Sequence, residues 1–146
     1  MDKISIIVPC YNEENALPEF YRVTAAAVTG IEGAECEFLF VDDGSRDHTP
    51  DILESLCRTD SRCRYISFSR NFGKEAAMYA GLQNASGDYC VFMDADLQHP
   101  PQLLQEMYHG LQTAGYVCCP GLREGRTGET QLSSPLPRPS QHIHPE

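Results

Sequence analysis

The alternation of short apolar runs with helical patterns is the feature that most constrains this chain. Four apolar runs are each followed by a segment with helical spacing, which gives a βαβαβαβα series. The predicted strands are Ile4 to Val8, Glu37 to Val41, Tyr65 to Phe68 and Tyr89 to Met93, and the predicted helices are about Ala16 to Val28, Pro50 to Thr59, Lys74 to Asn84 and Pro101 to Thr113. Runs such as FLFV and VFM are apolar throughout, which is typical of strands that are covered on both faces. We therefore predict an α/β fold, with three layers (α/β/α) and a mainly parallel sheet.

The chain divides into two parts near Tyr116. Its 146 residues, 41% of them hydrophobic, are enough for one domain with a buried core. Five of the ten prolines follow residue 116, in a stretch with little helical or strand periodicity. We predict a folded region over residues 1–116 and a proline-rich, disordered tail over residues 117–146.

Composition excludes several classes of protein. The net charge of -10 argues against nucleic acid as a partner, because binding a phosphate backbone needs a basic surface. Seven cysteines without a CxxC pair indicate buried thiols in a reducing compartment.

No leader peptide and no run of eighteen apolar residues is found, so the chain is predicted to be cytoplasmic and to lack a transmembrane segment. The absence of GxGxxG and GxxxxGK[ST] disfavours dinucleotide-binding and P-loop domains.

Polar clusters follow all four predicted strands. In an open parallel sheet, ligands bind beyond the carboxyl ends of the strands. The clusters are Pro9 to Glu14, Asp42 to Ser45, Ser69 to Lys74 and Asp94 to Gln98. We therefore expect four loops to meet along one edge of the sheet. Thr49 directly before Pro50 predicts the start of a helix, with the threonine hydroxyl as its cap.

Asp94 and Asp96 are the strongest candidates for a metal site. Residues i and i+2 of an extended segment project to the same side, so both carboxylates can face one hard cation. Gln98 could add a neutral amide oxygen. Mg²⁺ or Mn²⁺ held there would bridge a diphosphate and neutralise its charge as it leaves. The alternative interpretation is that acidic residues after a strand only cap the next helix.

The other polar residues each allow two interpretations. Asp42 and Asp43 belong either to an ordinary turn or to a second acidic cluster that needs a cation or hydrogen-bond donors nearby. Tyr11 either stacks on a nucleobase or is a half-buried loop aromatic. Arg70 and Lys74 either bind phosphate oxygens or are solvated surface charges.

Four blocks between about Lys3 and Tyr116 resemble glycosyltransferase family two, which has the GT-A fold. The blocks are ISIIVPCYNEENALPEFY, FLFVDDGSRDHT, ISFSRNFGKEAAMYAGLQNASGDY and VFMDADLQHPPQLL. They are most similar to the polyprenyl-phosphate branch, which includes dolichol-phosphate mannose synthase and the bactoprenol glucosyltransferases. The resemblance implies an inverting glycosyltransferase that moves a sugar, glucose from UDP-glucose, to a polyprenyl phosphate with the help of Mg²⁺ or Mn²⁺.

The resemblance also implies roles for individual residues. Pro9, Tyr11 and Glu13 would line the nucleoside pocket, Val41 and Asp43 would contact the base, and Asp42 would support the turn. Arg70 and Lys74 would bind the nucleotide sugar. Asp94, Ala95 and Asp96 would meet the ribose and diphosphate, with Asp94 and Asp96 as the catalytic residues. The metal ligands would be Asp96, Gln98 and Asp94.

A lipid phosphate acceptor fits the absence of an obvious side-chain base. Such a phosphate has a second pKa of about 6 and is largely dianionic at neutral pH, so it can attack without losing a proton to the protein. The family acts at the cytoplasmic face of a membrane. A homo-oligomer is left open.

Family members continue with an acceptor-side half, so the resemblance covers only the amino-terminal half of the GT-A domain. The first alternative is therefore a non-catalytic fragment that binds nucleotide sugar. The second is a receiver-like phosphotransfer domain, whose acidic pair should follow the first strand, where this chain has PCYNEEN.

Overall fold

The computed structural model describes residues 1–97 and 101–114. The strands are β1 (Asp2–Cys10), β2 (Ala34–Asp42), β3 (Cys63–Ser67) and β4 (Tyr89–Phe92), and the helices are α1 (Leu17–Val28), α2 (Thr49–Thr59), α3 (Lys74–Asn84) and α4 (Leu103–Ala114). All eight predicted elements are present in the predicted order. The bounds of α3 agree at both ends, whereas β1 and β2 are longer than predicted.

The four strands form one parallel sheet in the order β3-β2-β1-β4. β2 and β3 lie on one side of β1, and β4 lies on the other. The chain therefore crosses back over the sheet between β3 and β4. Ligands of open α/β sheets bind where the strand order reverses, so the ends of β1 and β4 are the expected position of a site.

One face of the sheet packs against α1, α2 and α4. The cluster of buried side chains there includes Phe20 from α1, Phe38 and Phe40 from β2, and Leu53 from α2, each with no exposed surface. The Phe20 and Phe40 rings meet edge to face, with their centroids 6.5 Å apart. Burial of each such side chain contributes roughly 1.5 to 3 kcal/mol.

The opposite face of the sheet packs against α3. Ala77 and Gly81 are the buried residues of this helix. A side chain at Gly81 would overlap the Ile7 side chain, so the glycine lets α3 lie close to β1. The prediction of an α/β/α fold with a parallel sheet is confirmed.

A buried carboxylate, Glu37, lies on the face of the sheet that packs against α3, near the amino-terminal ends of the strands. The Glu37 carboxylate accepts hydrogen bonds from Ser5 Oγ at 2.6 Å, from the Ser86 backbone at 2.9 Å and from the Ser86 hydroxyl at 2.8 Å. Arg64 and Lys3 form ion pairs with it at 3.2 and 3.5 Å. These contacts join three strands to the loop that follows α3. Among the helices that the structure describes, none is long and apolar enough to cross a membrane.

Candidate functional site

A cavity of about 300 Å³ lies beyond the carboxyl ends of β1, β2 and β4. It lies where the strand order reverses, as expected for a ligand site of this fold. Its lining residues come from the end of β1, from three loops and from the first turn of α3: Pro9, Cys10, Tyr11, Glu13, Asp43, Lys74, Asp94, Ala95 and Asp96. We call it the main cavity. It brings together eight of the residues that the sequence indicated.

The main cavity holds more negative than positive charge. Asp94 and Asp96 follow β4, and Glu13 approaches from the loop after β1. Burial raises the pKa of Glu13, the nearby Asp96 and Asp94 carboxylates raise it further, and Lys74 opposes them. The Lys74 ammonium lies 2.8 Å from Asp94 Oδ1. Carboxylates gathered in this way favour a bound cation.

The donor set fits a divalent cation that takes part of its coordination from a ligand. Within residues 1–97 and 101–114, no group of three histidine, cysteine, aspartate or glutamate side chains is arranged to hold a metal by itself. Mg²⁺ usually binds through one or two carboxylates together with water and substrate phosphates, and Asp94 and Asp96 can supply the carboxylates. Gln98 lies outside the described residues, so its role as a ligand stays a prediction.

Asp43 fixes the loop that leads into α3. It is buried, and its Oδ1 accepts a hydrogen bond from the Phe72 backbone at 2.7 Å. Its Oδ2 accepts hydrogen bonds from the Gly73 backbone at 3.1 Å and from Asn71 Nδ2 at 3.2 Å. Both carboxylate oxygens are thus used to hold residues 71–73 at the edge of the main cavity. Its predicted contact with a nucleobase stays a prediction.

The loops after β1 and β2 are joined by reciprocal hydrogen bonds, which we call the loop latch. Its bonds run from Asn12 N to Ser45 Oγ (2.9 Å), from Arg46 N to Asn12 Oδ1 (2.9 Å), from Glu13 N to Thr49 Oγ1 (2.9 Å) and from Glu14 N to Asp47 Oδ2 (3.2 Å). Asp42 Oδ1 also accepts a hydrogen bond from Ser45 N at 3.1 Å, which supports the turn. The latch therefore sets the position of Glu13 in the main cavity.

The prediction that the Thr49 hydroxyl caps α2 was wrong. The helix begins at Thr49 with His48 as its capping residue, and the His48 side chain contacts the Asp51 carboxylate at 3.2 Å but makes no capping bond to a backbone N–H of the helix. The buried Thr49 hydroxyl instead accepts the Glu13 N–H, while the Thr49 N–H donates to Asp47 at 2.9 Å. The Thr49 hydroxyl therefore accepts a backbone N–H of the loop after β1 and not one in the first turn of its own helix.

A second cavity of about 250 Å³ opens beside the main one, beyond β2 and β3. Asp42 and Arg70 line it, and Tyr11 lines both cavities with 44% of its surface exposed. The Arg70 guanidinium stacks on the Phe72 ring at 4.1 Å from its centroid. The two predicted phosphate ligands, Arg70 and Lys74, therefore line different cavities. Val41 is fully buried in β2 and lines neither of them.

Cys10 is a lining residue that the sequence did not single out as a candidate. Burial, with the nearby Glu13 and Asp42 carboxylates, raises the pKa of its thiol, so it stays protonated at neutral pH. Its backbone oxygen accepts the Asp43 N–H at 2.8 Å, which joins the ends of β1 and β2. Its place between Pro9 and Tyr11 was the available signal.

These features define an α/β domain with an acidic cavity at the carboxyl edge of its parallel sheet. The sequence model of Glycosyl transferase family 2 matches residues 5–143, and the chain belongs to that family. The match runs past the predicted boundary at residue 116, and residues 117–146 lie outside those that the structure describes.

Three known proteins illustrate the similarity. A bactoprenol glucosyl transferase of Shigella phage SfV is 43% identical over 105 residues, which are 72% of this chain and 34% of that protein. The mannosyltransferase PcManGT from Pyrobaculum calidifontis, solved with GDP-Man and Mn²⁺, superposes with a TM-score of 0.65 at 25% identity and covers 75% of this chain and 32% of its own. S. aureus TarS 1-349 in complex with UDP has a TM-score of 0.64 at 26% identity, with coverages of 76% and 32%. The chain thus spans about a third of the length of these proteins.

Proposed function

We propose that the main cavity is the donor site of an inverting glycosyltransferase that moves glucose from UDP-glucose to a polyprenyl phosphate. The observation that carries the proposal is the convergence of Glu13, Lys74, Asp94 and Asp96 on one cavity at the point where the strand order reverses. Family membership supports sugar transfer, and the name of the phage relative supports glucose and a bactoprenol acceptor. UDP in the TarS complex supports a uridine nucleotide.

In this proposal, Asp94 and Asp96 hold a Mg²⁺ or Mn²⁺ ion, with Gln98 as a further ligand. Such an ion would supply positive charge to offset the charge that develops on the diphosphate leaving group. The Mn²⁺ in the mannosyltransferase complex supports a divalent cation. Two carboxylates leave coordination positions for phosphate oxygens, which favours a metal that binds together with the nucleotide.

The remaining residues bind and orient the donor. Tyr11 stacks on the nucleobase, because its exposed ring lies between the two cavities. Pro9 and Glu13 line the nucleoside pocket, and Lys74 pairs with a phosphate oxygen. The other proposed contacts are those of Ala95 with the ribose and diphosphate, of Asp43 with the base, of Asp42 through its turn, and of Arg70 with the nucleotide sugar. Val41 is fully buried and lines neither cavity, so the contact with the base that the resemblance implied for it is not part of the proposal.

The acceptor phosphate is the nucleophile, and the protein contributes position rather than a base. A phosphate monoester with a second pKa of about 6 is already charged at neutral pH. Holding the two substrates in line can supply on the order of 7 to 11 kcal/mol of the barrier reduction.

Calorimetry with UDP-glucose tests the donor site. We expect binding in Mg²⁺ or Mn²⁺ to be at least about tenfold tighter than in EDTA, because the carboxylates otherwise repel the diphosphate. Asp96→Ala in the presence of metal should reproduce the EDTA value. Asp51→Ala, which removes an exposed carboxylate from α2, is the matched control and should bind like the unchanged chain. Equal affinities with and without metal would remove the metal from the proposal.

Transfer is tested with radiolabelled UDP-glucose and undecaprenyl phosphate in detergent. Labelled lipid that is lost in Asp96→Ala would support the proposed reaction. Metal-dependent donor binding without labelled lipid would instead support the alternative, a nucleotide-sugar-binding module.

A further inference from the structure

Lys74 is the basic side chain that lines the main cavity, among the residues that the structure describes. Its ammonium lies 2.8 Å from Asp94 Oδ1, and the two side chains are 59% and 24% exposed. The pair therefore places a monovalent cation on one of the two carboxylates that are proposed to hold the metal.

The position of Lys74 is set by the fold rather than by the ion pair alone. Lys74 is the first residue of α3, and the residue before it, Gly73, has a φ of 104°, which favours glycine. The Gly73 and Phe72 backbone N–H groups donate to the buried Asp43 carboxylate. Asp43, the residue that follows β2, thus holds the start of α3, which directs Lys74 towards Asp94.

We infer that Lys74 is a placeholder cation, which occupies Asp94 until metal and nucleotide arrive together and so makes their binding cooperative. The inference rests on the proposed function and adds to it an order of events at the same site. An ammonium and a divalent cation repel each other at such short range, so a metal that binds alone must displace Lys74 into solvent. A diphosphate offers Lys74 another anion and releases Asp94 for the metal.

This competition has a consequence in both directions. If the nucleotide strengthens metal binding by a given factor, the metal strengthens nucleotide binding by the same factor. Part of that factor comes from metal–phosphate bonds and persists without the lysine. The part due to Lys74 disappears when its charge is removed.

The test is a titration of the full chain with Mn²⁺, in which binding is measured by electron paramagnetic resonance. The titration is done without nucleotide, with UDP and with GDP. We expect Lys74→Met to raise the affinity for Mn²⁺ alone about fivefold, the factor that corresponds to losing one well-formed exposed ion pair. The factor by which nucleotide strengthens Mn²⁺ binding should fall by about the same amount. Lys74→Gln should behave in the same way. Arg58→Met removes one positive charge from the exposed face of α2 and should change neither quantity.

The possible outcomes separate this inference from the proposed function. If the unchanged chain binds Mn²⁺ more tightly with a nucleotide but Lys74→Met alters neither quantity, the placeholder role is wrong and the donor site stands. A lower affinity of Lys74→Met for Mn²⁺ alone would also overturn the inference. If the unchanged chain does not bind Mn²⁺ with or without either nucleotide, the proposed metal-dependent donor site fails, and the placeholder role fails with it.

Discussion

Glu37 is 5% exposed, and the charge of its carboxylate is balanced by ion pairs with Arg64 and Lys3. Burial raises the pKa of Glu37, but hydrogen bonds from Ser5 and Ser86 and the charge of Arg64 outweigh burial and lower it to about 2. A carboxylate with a lowered pKa stabilises the folded state above its unfolded pKa, near 4.5, and this contribution is lost as the pH falls towards 2.

We predict that Glu37→Gln lowers the free energy of unfolding by about 3 kcal/mol at pH 7, which is the equivalent of the lowered pKa. The difference between the variant and the unchanged chain should shrink from about pH 4.5 downwards and be small near pH 2. Urea denaturation at a series of pH values measures it. Glu35→Gln, an exposed position on the same strand, is the control. A difference that stays constant with pH would show that Glu37 acts through packing and not through its charge.

The acidic pair after β4 illustrates what residue patterns can and cannot predict. The i, i+2 spacing of Asp94 and Asp96 predicted two carboxylates near one point because the segment was taken as extended. Both residues line the main cavity, but the segment is a turn, in which the Leu97 N–H donates to the Asp94 carbonyl at 3.4 Å. The ion pair between Asp94 and Lys74 could not be predicted in this way. It joins residues twenty positions apart on different elements, and it depends on how closely α3 packs against β1.

Loops at the edge of the sheet are positioned by each other as much as by their own sequences. Thr49 has the sequence signature of a helix cap, yet its hydroxyl accepts a hydrogen bond from Glu13. Both interpretations satisfy one backbone N–H. Only the neighbouring loop, which is brought there by the pairing of β1 with β2, decides between them.

We predict that Thr49→Val weakens binding of UDP-glucose severalfold, because the Glu13 N–H loses its buried acceptor and the loop latch loosens. Unfolding should become easier by about 1 to 3 kcal/mol, the cost of an unsatisfied buried donor. Thr49→Ser keeps the hydroxyl and should retain most of the affinity. Calorimetry and urea denaturation on the three proteins measure both effects. Equal donor affinity in the valine and serine variants would show that the loop latch does not affect donor binding.

Two helical glycines offer a matched test of how closely α3 packs. A side chain at Gly81 would overlap Ile7, whereas a side chain at Gly110 in α4 meets nothing within 4 Å. We predict that Gly81→Ala destabilises the fold by about 1 to 3 kcal/mol despite its better helix propensity. Gly110→Ala should stabilise it by roughly 0.5 to 1 kcal/mol. Thermal denaturation measures both changes, and stabilisation by Gly81→Ala would mean that α3 can move away from β1.

The bounds of the strands were harder to predict than their existence. Apolar runs indicated β1 and β2, but both strands continue into less apolar residues, from Asp2 and from Ala34 respectively. Backbone pairing of Asp2 with Ala34 extends the ladder beyond the apolar run. An apolar run indicates which residues are buried. The length of a strand depends on backbone pairing with a neighbouring strand, which the apolar run does not reveal.

At the scale of the whole molecule, the sequence predicted the three layers and the edge of the sheet where the cavities lie. It did not predict that the loops at this edge form two separate cavities. Four loops were expected to share one site. The sheet order β3-β2-β1-β4 places the loops after β3 and β4 on opposite sides of the two central strands, and two cavities result. Strand order is set by the direction of each crossover, which hydrophobic periodicity does not encode.

The predicted boundary at residue 116 can be tested by donor binding. All residues that line the main cavity lie between Pro9 and Asp96, so a chain of residues 1–116 contains every described contact of the proposed donor site. We predict that this shortened chain and the full chain bind UDP-glucose in Mn²⁺ with affinities that agree within about twofold, the size of effect expected for a segment without specific contacts. Calorimetry measures the affinities, and circular dichroism establishes that both chains are folded. The family match extends to residue 143, which supplies the opposing expectation. A folded 1–116 chain that binds the donor at least tenfold more weakly would show that residues 117–146 contribute to the site and would move the boundary.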